Sequence, residues 1–298
     1  MIRIQRTTAG IELAVETSLP DWKTRADEFA SDDLEAGRHL ERSPEHWILI
    51  RDFIAEAQYG KCAYCERYLG EEGSATSVDH YRPKGRVTVW RTKEDDFPDR
   101  PKGSPSGYYQ LTYAIDNYVG ACDQCNRKKS SYFPVCGDRQ QYTTDQIVLK
   151  SERPLLINPT DTADLDPEDI ITFYGPLPQI RPEAGSARLR ALAAIEILRL
   201  AIREDIFCGR CRVLYGVWLA YQNRDRTDVL GNHSRATLAA CSKPSAEYSS
   251  CAKTYLLLCE NNQNEADQLA DLMNAYLCKK LKYKKFTSQL QKRPTLRE

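Results

Sequence analysis

The period of the apolar residues changes several times along this chain, and each change marks an element. Ile2 and Ile4 alternate with polar residues, Thr7-Thr8-Ala9-Gly10 has turn composition, and Ile11, Leu13 and Val15 alternate again, so a small hairpin is expected over residues 1–18. Trp22, Ala26 and Phe29 then recur at helical spacing before a polar, acidic loop. Ser43-Pro44-Glu45 is a helix start, with Ser43 as N-cap and Pro44 in the first turn. Trp47, Ile50, Ile54 and Ala57 form one stripe, and Gly60 supplies its stop. Residues 77–81 read as a short strand that Pro83 ends, because proline cannot continue a ladder. Residues 85–106 are polar and rich in Pro, Asp, Lys and Arg, and loops of that length are often functional. Order resumes from Tyr108 to Tyr113, Cys122 to Lys129 opens a helix, and Phe133-Pro134 closes the unit.

Further along, residues 155–159 and 170–175 read as strands. Ile195, Leu198, Ile202, Ile206, Val213, Val217 and Tyr221 hold a helical stripe between Ser186 and Gln222. Arg199, Arg203 and Arg210 fall largely off it, and Gly209 is where it is expected to bend or split. Leu269, Met273, Tyr276 and Leu281 mark a last helix that runs into the basic stretch Lys279–Lys285. No internal repeat or low-complexity tract interrupts the pattern.

Composition narrows the function classes. A length of 298 residues suits one large domain or two modest ones. Lys+Arg and Asp+Glu both number 42, which argues against strong global attraction to nucleic acid but leaves room for a local basic face. Met1 to Leu19 lack the apolar run of a signal peptide, and no stretch approaches the ~20 apolar residues of a membrane helix. A cytoplasmic location and no membrane partner are therefore expected. In that setting the 11 cysteines read better as metal ligands than as disulfides.

Cys62/Cys65 and Cys122/Cys125 are two Cys-x-x-Cys pairs. The two-residue gap lets both sulfurs of a turn point at one ion, and two such turns complete a tetrahedral zinc site. The bland alternative, four buried free cysteines, does not call for that spacing twice. A four-sulfur site has no open coordination position, so it should be structural, and any catalysis must come from the residues that it frames. Cys208-Gly209-Arg210-Cys211 lies within a helical pattern and reads as two small core-facing residues or an accident, not a redox motif. Cys136, Cys241, Cys251, Cys259 and Cys278 receive the same reading. A zinc deaminase is disfavoured, because no His-x-Glu motif accompanies a Pro-Cys-x-x-Cys.

Between the pairs lie Asp79-His80-Tyr81-Arg82-Pro83-Lys84 and Asn117, and Asn126 directly follows Cys125. Phosphodiester hydrolysis needs an activated water, an electrophile on the phosphate and a stabilised leaving oxygen. A hard divalent ion with few protein oxygens supplies the last two, and a histidine can take the water's proton near neutral pH. Taken singly, each residue has a plainer reading: a hydrogen-bonded Asp-His pair, a turn for Asn117, a helix cap for Asn126. Their occurrence together between two cysteine pairs favours chemistry.

These residues resemble the HNH endonucleases with a ββα-metal fold and a zinc-binding frame, in the variant with asparagine at the last position. Asp79-His80-Tyr81-Arg82-Pro83-Lys84, Asn117, Cys125-Asn126-Arg127-Lys128-Lys129 and Phe133-Pro134 are closer still to the HNH nucleases of bacterial antiphage systems. The likeness is to the Septu-type nuclease that accompanies an ATPase and is also found with some retrons. Leu156-Ile157-Asn158-Pro159 and the helix around Ile197-Leu198-Arg199 fit that subgroup, so the resemblance spans about residues 44–215. It implies that His80 is the general base, Asp79 a metal ligand on the first strand, Asn126 a ligand where relatives carry histidine, and Asn117 the residue that orients His80. The neutral oxygen of Asn126 suits Mg2+ or Mn2+ better than zinc. The loop between His80 and Asn117 is long for this fold and is expected to hold an insertion.

Lys84, Arg86, Arg127, Lys128 and Lys129 flank this centre, either to hold a phosphate backbone or as a solvated face. The expected architecture is α+β: a ββα-metal core with a four-cysteine zinc site in a mostly helical chain. Its expected parts are an N-terminal hairpin and helix (1–43), the nuclease core (44–135), a connecting region of short strands (136–185) and a C-terminal helical region that docks a partner (186–298). The expected activity is endonucleolytic cleavage of DNA, with RNA such as tRNA as the other candidate, alongside an ATPase partner and within a retron complex in some settings. The competing expectation is a zinc-framed module that binds nucleic acid or protein without catalysis.

Overall fold

A computed structural model describes residues 1–43, 45–70, 75–92 and 103–291. The chain begins extended, with the Ile4 amide donating to Pro159 O at 2.8 Å. It then forms α1 (Thr8–Ser18) where a hairpin was expected. Ile11 and Val15 are buried while Leu13 is 67% exposed, so the operative spacing is four residues and not two. The Thr7 hydroxyl caps the helix by accepting from the Gly10 amide. α2 (Trp22–Ala36) follows, as its spacing predicts, and ends on Gly37 in the left-handed region. A 3-10 turn (His46–Ile50) leads into α3 (Arg51–Glu56), which buries Trp47, Ile50 and Ile54. Pro44 lies outside the described residues. Gly60, at φ 66°, ends this helix, with its amide on Ala55 O.

β1 (Thr76–His80) pairs antiparallel with β2 (Tyr118–Cys122), Thr76 opposite Cys122 and His80 opposite Tyr118. β2 runs directly into α4 (Asp123–Lys129), which packs on both strands. Of the long loop expected over 85–106, residues 93–102 lie outside the described residues.

After α5 (Gln146–Ser151), residues 155–157 are buried but form no strand. Side chains satisfy this segment instead: the Tyr81 hydroxyl and Arg190 Nη2 both donate to Leu156 O. α6 (Pro167–Ile170) precedes the hairpin of β3 (Ile171–Tyr174) and β4 (Leu177–Ile180), whose second strand the sequence pattern did not suggest.

The long helical stripe is two helices, α7 (Gly185–Ile197) and α8 (Glu204–Asn223). They part at Arg199, which takes φ 52°, and not at Gly209. The Leu200 amide returns to Ile195 O at 2.9 Å and the Arg199 amide to Glu196 O at 3.2 Å, a Schellman cap made without glycine. Gly209 lies inside α8, where an added Cβ would sit 2.8 Å from Tyr248 Cε2, so the glycine serves close packing. Arg203 and Arg210, expected off the apolar stripe, are buried, with Arg210 Nη1 donating to Pro176 O and Leu200 O.

The rest is helical: α9 (Val229–Cys241), α10 (Ser249–Asn261), α11 (Gln263–Leu277) and α12 (Tyr283–Gln291). Leu281, expected in the last helix with Met273, falls between α11 and α12. One apolar cluster joins the four cysteines of the Cys-x-x-Cys pairs to β3, α7, α8, α10 and α11, and a smaller one packs α1, α2 and Trp47 behind β1 and β2. Among the described residues no helix is long and apolar enough to cross a membrane.

Candidate metal centre and active site

The two Cys-x-x-Cys pairs are far apart in sequence and are joined by a short run of hydrogen bonds. Gln58, at the end of α3, brackets Gly120 of β2: the Gly120 amide donates to Gln58 Oε1, and Gln58 Nε2 donates to Gly120 O, each at 2.9 Å. The Ala63 amide then donates to Gly120 O at 3.0 Å. This seats the Cys62–Cys65 turn beside Cys122, which ends β2 and caps α4. The Sγ atoms of Cys62, Cys65, Cys122 and Cys125 all lie within 4.8 Å of one another, and all four residues are buried. Cys65 Sγ and Cys122 Sγ are 3.8 Å apart. A tetrahedron of sulfurs about 2.3 Å from zinc has edges of about 3.8 Å, so the cluster is compatible with zinc. Burial pushes the Cys65 thiol well up, so four thiolates belong together there only around a cation.

Arg203, which the sequence marks only as lying off the apolar stripe, stands next to this cage. Its Nη1 donates to Cys125 Sγ at 3.0 Å, while Nε and Nη2 grip Asp205 at 3.1 and 2.7 Å. A zinc ion with four thiolates carries net negative charge, and a guanidinium in contact with one sulfur offsets part of it.

Next to the cage, β1, α4 and the turn at Trp47 enclose a cleft of about 480 Å³. Asp79, His80 and Asn126 all line it, with Lys84, Arg86, Ser130 and Ser131. His80 Nε2 lies 2.9 Å from Thr112 O, and since a carbonyl only accepts, that nitrogen carries the hydrogen and Nδ1 keeps the lone pair. Trp47 and Tyr118 meet the imidazole edge-on, with centroids 4.7 and 5.2 Å away. Burial, together with the charges of Lys84 and Lys129, depresses its pKa to about 3, against the Thr112 carbonyl, so the ring is neutral at pH 7.

Asn117 does not line the cleft. It stands behind His80, where Oδ1 accepts from the Arg82 amide at 2.8 Å and Nδ2 donates to Arg82 O and Leu111 O at 3.0 and 3.1 Å. Its own carbonyl accepts from the Tyr81 amide at 2.8 Å. It therefore fixes the backbone on the far side of His80.

Asp79 is more heavily engaged than its sequence context suggests. Oδ2 accepts from the Tyr64 hydroxyl at 2.5 Å, and Oδ1 faces Lys129 Nζ at 3.0 Å. Burial raises the Asp79 carboxyl, and Lys129 and Tyr64 oppose that shift. Lys129, expected to hold phosphate, is fully buried in this ion pair and is not a solvent-facing contact. Arg127 is exposed and paired with Asp123 at 2.9 Å, and neither it nor Lys128 lines the cleft. Lys84 sits over the Trp47 ring at 4.7 Å, and it lines the cleft together with exposed Arg86 and Arg51, which the sequence did not mark.

No family model matches the chain, and no solved structure matches it. The chain is similar to Septu protein PtuA of Bacillus mycoides (strain KBAB4), at 35% identity over 112 residues. The match covers 37% of this chain and 14% of that protein's length. The chain thus spans only a small part of that protein's length. The protein matched is PtuA, whereas the motifs resemble the nuclease of Septu-type systems.

Proposed function

We propose that this chain is a metal-dependent endonuclease of the HNH kind that serves antiphage defence by hydrolysing phosphodiester bonds, with an ATPase as partner. One observation carries the reading: a single cleft gathers a neutral histidine, a carboxylate and an amide oxygen, beside the cations Arg51, Lys84 and Arg86. In this reading the β1–β2–α4 unit is the ββα-metal core, and the four-cysteine cluster holds its structural zinc.

Asp79 and Asn126 offer oxygen donors suited to Mg2+ or Mn2+. When bound there, such an ion supplies charge neutralisation at the scissile phosphate. Lys84 and Arg86 hold the phosphate backbone at the rim. His80 accepts a proton from water at Nδ1 while Nε2 stays fixed on Thr112 O. The water oxygen forms the new bond to phosphorus, and the bond to the ester oxygen opposite breaks. Burial is the main cause of the depressed His80 pKa, and an arriving phosphate offsets only the smaller contribution of the lysine charges. Asn117 holds the backbone so that the ring does not wander.

A second reading, a zinc-framed binding module without catalysis, is favoured by the commitment of both Asp79 oxygens to Tyr64 and Lys129. Cleavage assays on plasmid DNA and total cellular RNA with Mn2+ separate the two. The nuclease reading expects cleavage by the wild type that is lost in His80→Ala, and the binding reading expects retention of nucleic acid with no product.

A further inference from the structure

Tyr64 and Lys129 occupy corresponding places on the two halves of the cysteine cage. Tyr64 lies inside the first pair, between Cys62 and Cys65. Lys129 ends α4, the helix that Cys122 caps and that carries Cys125 in its first turn. Both side chains are buried, Lys129 fully and Tyr64 to within 1%. They converge on one carboxylate: Tyr64 donates to Asp79 Oδ2 at 2.5 Å, Lys129 donates to Oδ1 at 3.0 Å, and Lys129 also donates to His80 O at 2.7 Å. Each half of the cage therefore grips the Asp79–His80 dipeptide by a separate hand.

A buried lysine is costly unless a partner and hydrogen bonds satisfy it. Here the partner is the acid of the cleft, so the cation does not merely fill space in the core. The tyrosine hydroxyl is likewise buried and would lose its partner if the acid turned. Neither group lines the cleft, so neither meets substrate directly.

We infer that Tyr64 and Lys129 are positioning residues: they transmit the geometry of the four-cysteine site to Asp79 and His80, and they limit how strongly Asp79 attracts a divalent cation. This rests on the reading of Asp79 as a metal ligand. Lys129 places a positive charge against the same carboxylate that the ion would use, so it weakens ion binding while it fixes the acid's orientation. Affinity and turnover are set against each other, and that separates positioning from plain structural support.

The test is Mn2+ titration by calorimetry beside cleavage kinetics on plasmid DNA, for the wild type, Lys129→Met, Lys129→Arg and Tyr64→Phe, each checked for zinc content. Lys129→Met is expected to bind Mn2+ on the order of tenfold more tightly, while kcat falls about 10- to 100-fold at unchanged KM. Lys129→Arg, which keeps the charge, returns Mn2+ affinity to the wild-type value. Tyr64→Phe keeps the ring, retains zinc and lowers kcat with the same KM. Lys129→Met that binds Mn2+ no more tightly than wild type, with zinc retained, overturns the inference. If Lys129→Met does not fold, Tyr64→Phe decides: unchanged kcat and unchanged Mn2+ affinity overturn it. If the wild type cleaves nothing, the nuclease reading fails by itself, and the Mn2+ titrations still decide the positioning claim.

Discussion

Asn117 shows how much one polar side chain can hold. It closes three hydrogen bonds to backbone on the far side of His80, all of them buried. Asn117→Ala leaves the Arg82 amide and two carbonyls to find other partners. At about 1 kcal/mol for each bond lost, and more where a group stays unpaired, the variant should lose about 2–4 kcal/mol of stability. Chemical denaturation reads that loss directly, and a midpoint equal to wild type would contradict it. Turnover should fall with it while Mn2+ affinity stays put, because Asn117 touches neither Asp79 oxygen. The residue pattern by itself suggests a turn for Asn117, and only the family resemblance implies a role beside His80; its amide holds the backbone of Arg82 and Leu111. Lys129 was legible only as a charge. Nothing in a run of Arg127-Lys128-Lys129 says which of the three turns inward, since that depends on the phase of a helix only seven residues long.

At the scale of elements, the parts that sequence foresaw are those with local causes: the α3 stripe stopped at Gly60, the first strand before Pro83, and the helix opened by the second cysteine pair. The misread parts have non-local causes. In α1 the solvent-facing Leu13 falls between Ile11 and Val15, so the spacing mimics the alternation of a hairpin. Residues 155–157 are buried without a ladder because Tyr81 and Arg190 serve their backbone. Arg203 and Arg210 are buried cations whose partners, Cys125 and the carbonyls of Pro176 and Leu200, lie in other elements. Arg203→Ala should leave the cage with an uncompensated negative charge. Zinc release to a chelator should then require about 10- to 100-fold less chelator, and release identical to wild type would show that Arg203 serves only Asp205. Gly209→Ala weighs two opposed effects. Alanine gains about 1 kcal/mol of helix propensity, but its Cβ meets the buried Tyr248 ring, and overpacking of that kind costs about 1–3 kcal/mol. The clash should win because the rigid Tyr248 ring is buried, so thermal melting should show a lower midpoint.

At the scale of the whole molecule, buried polar contacts join the cage to the C-terminal helices. Glu66, one residue past Cys65, accepts from the Ser249 hydroxyl at 2.9 Å and the Ser250 amide at 3.2 Å, and pairs with the Met1 α-ammonium at 2.5 Å. Burial would raise this carboxyl, but the Met1 α-ammonium, Lys61 and the Ser250 hydrogen bond hold it down at about 2. Lys61 Nζ also donates to Ala246 O at 2.6 Å. Deleting residues 244–298 therefore removes Tyr255, Leu269, Met273 and Phe286 from the main core. At about 1.5–3 kcal/mol for each large apolar side chain, the loss from these four alone is comparable to the usual total stability of about 5–15 kcal/mol. The truncated chain should be insoluble, and a soluble, zinc-loaded truncation would show that the region is a separate unit. Docking of the proposed ATPase partner is thus better tested by substitutions on exposed surface than by truncation. The central claim is that the cleft around His80 cuts nucleic acid. Its most direct test incubates the wild type and His80→Ala, matched for zinc content and purified with the products of neighbouring genes, with plasmid DNA and cellular RNA in Mn2+. The account predicts cleavage by the wild type and a rate about 10²–10⁴-fold lower in His80→Ala. Equal rates in the two proteins, or intact nucleic acid with both, would contradict it.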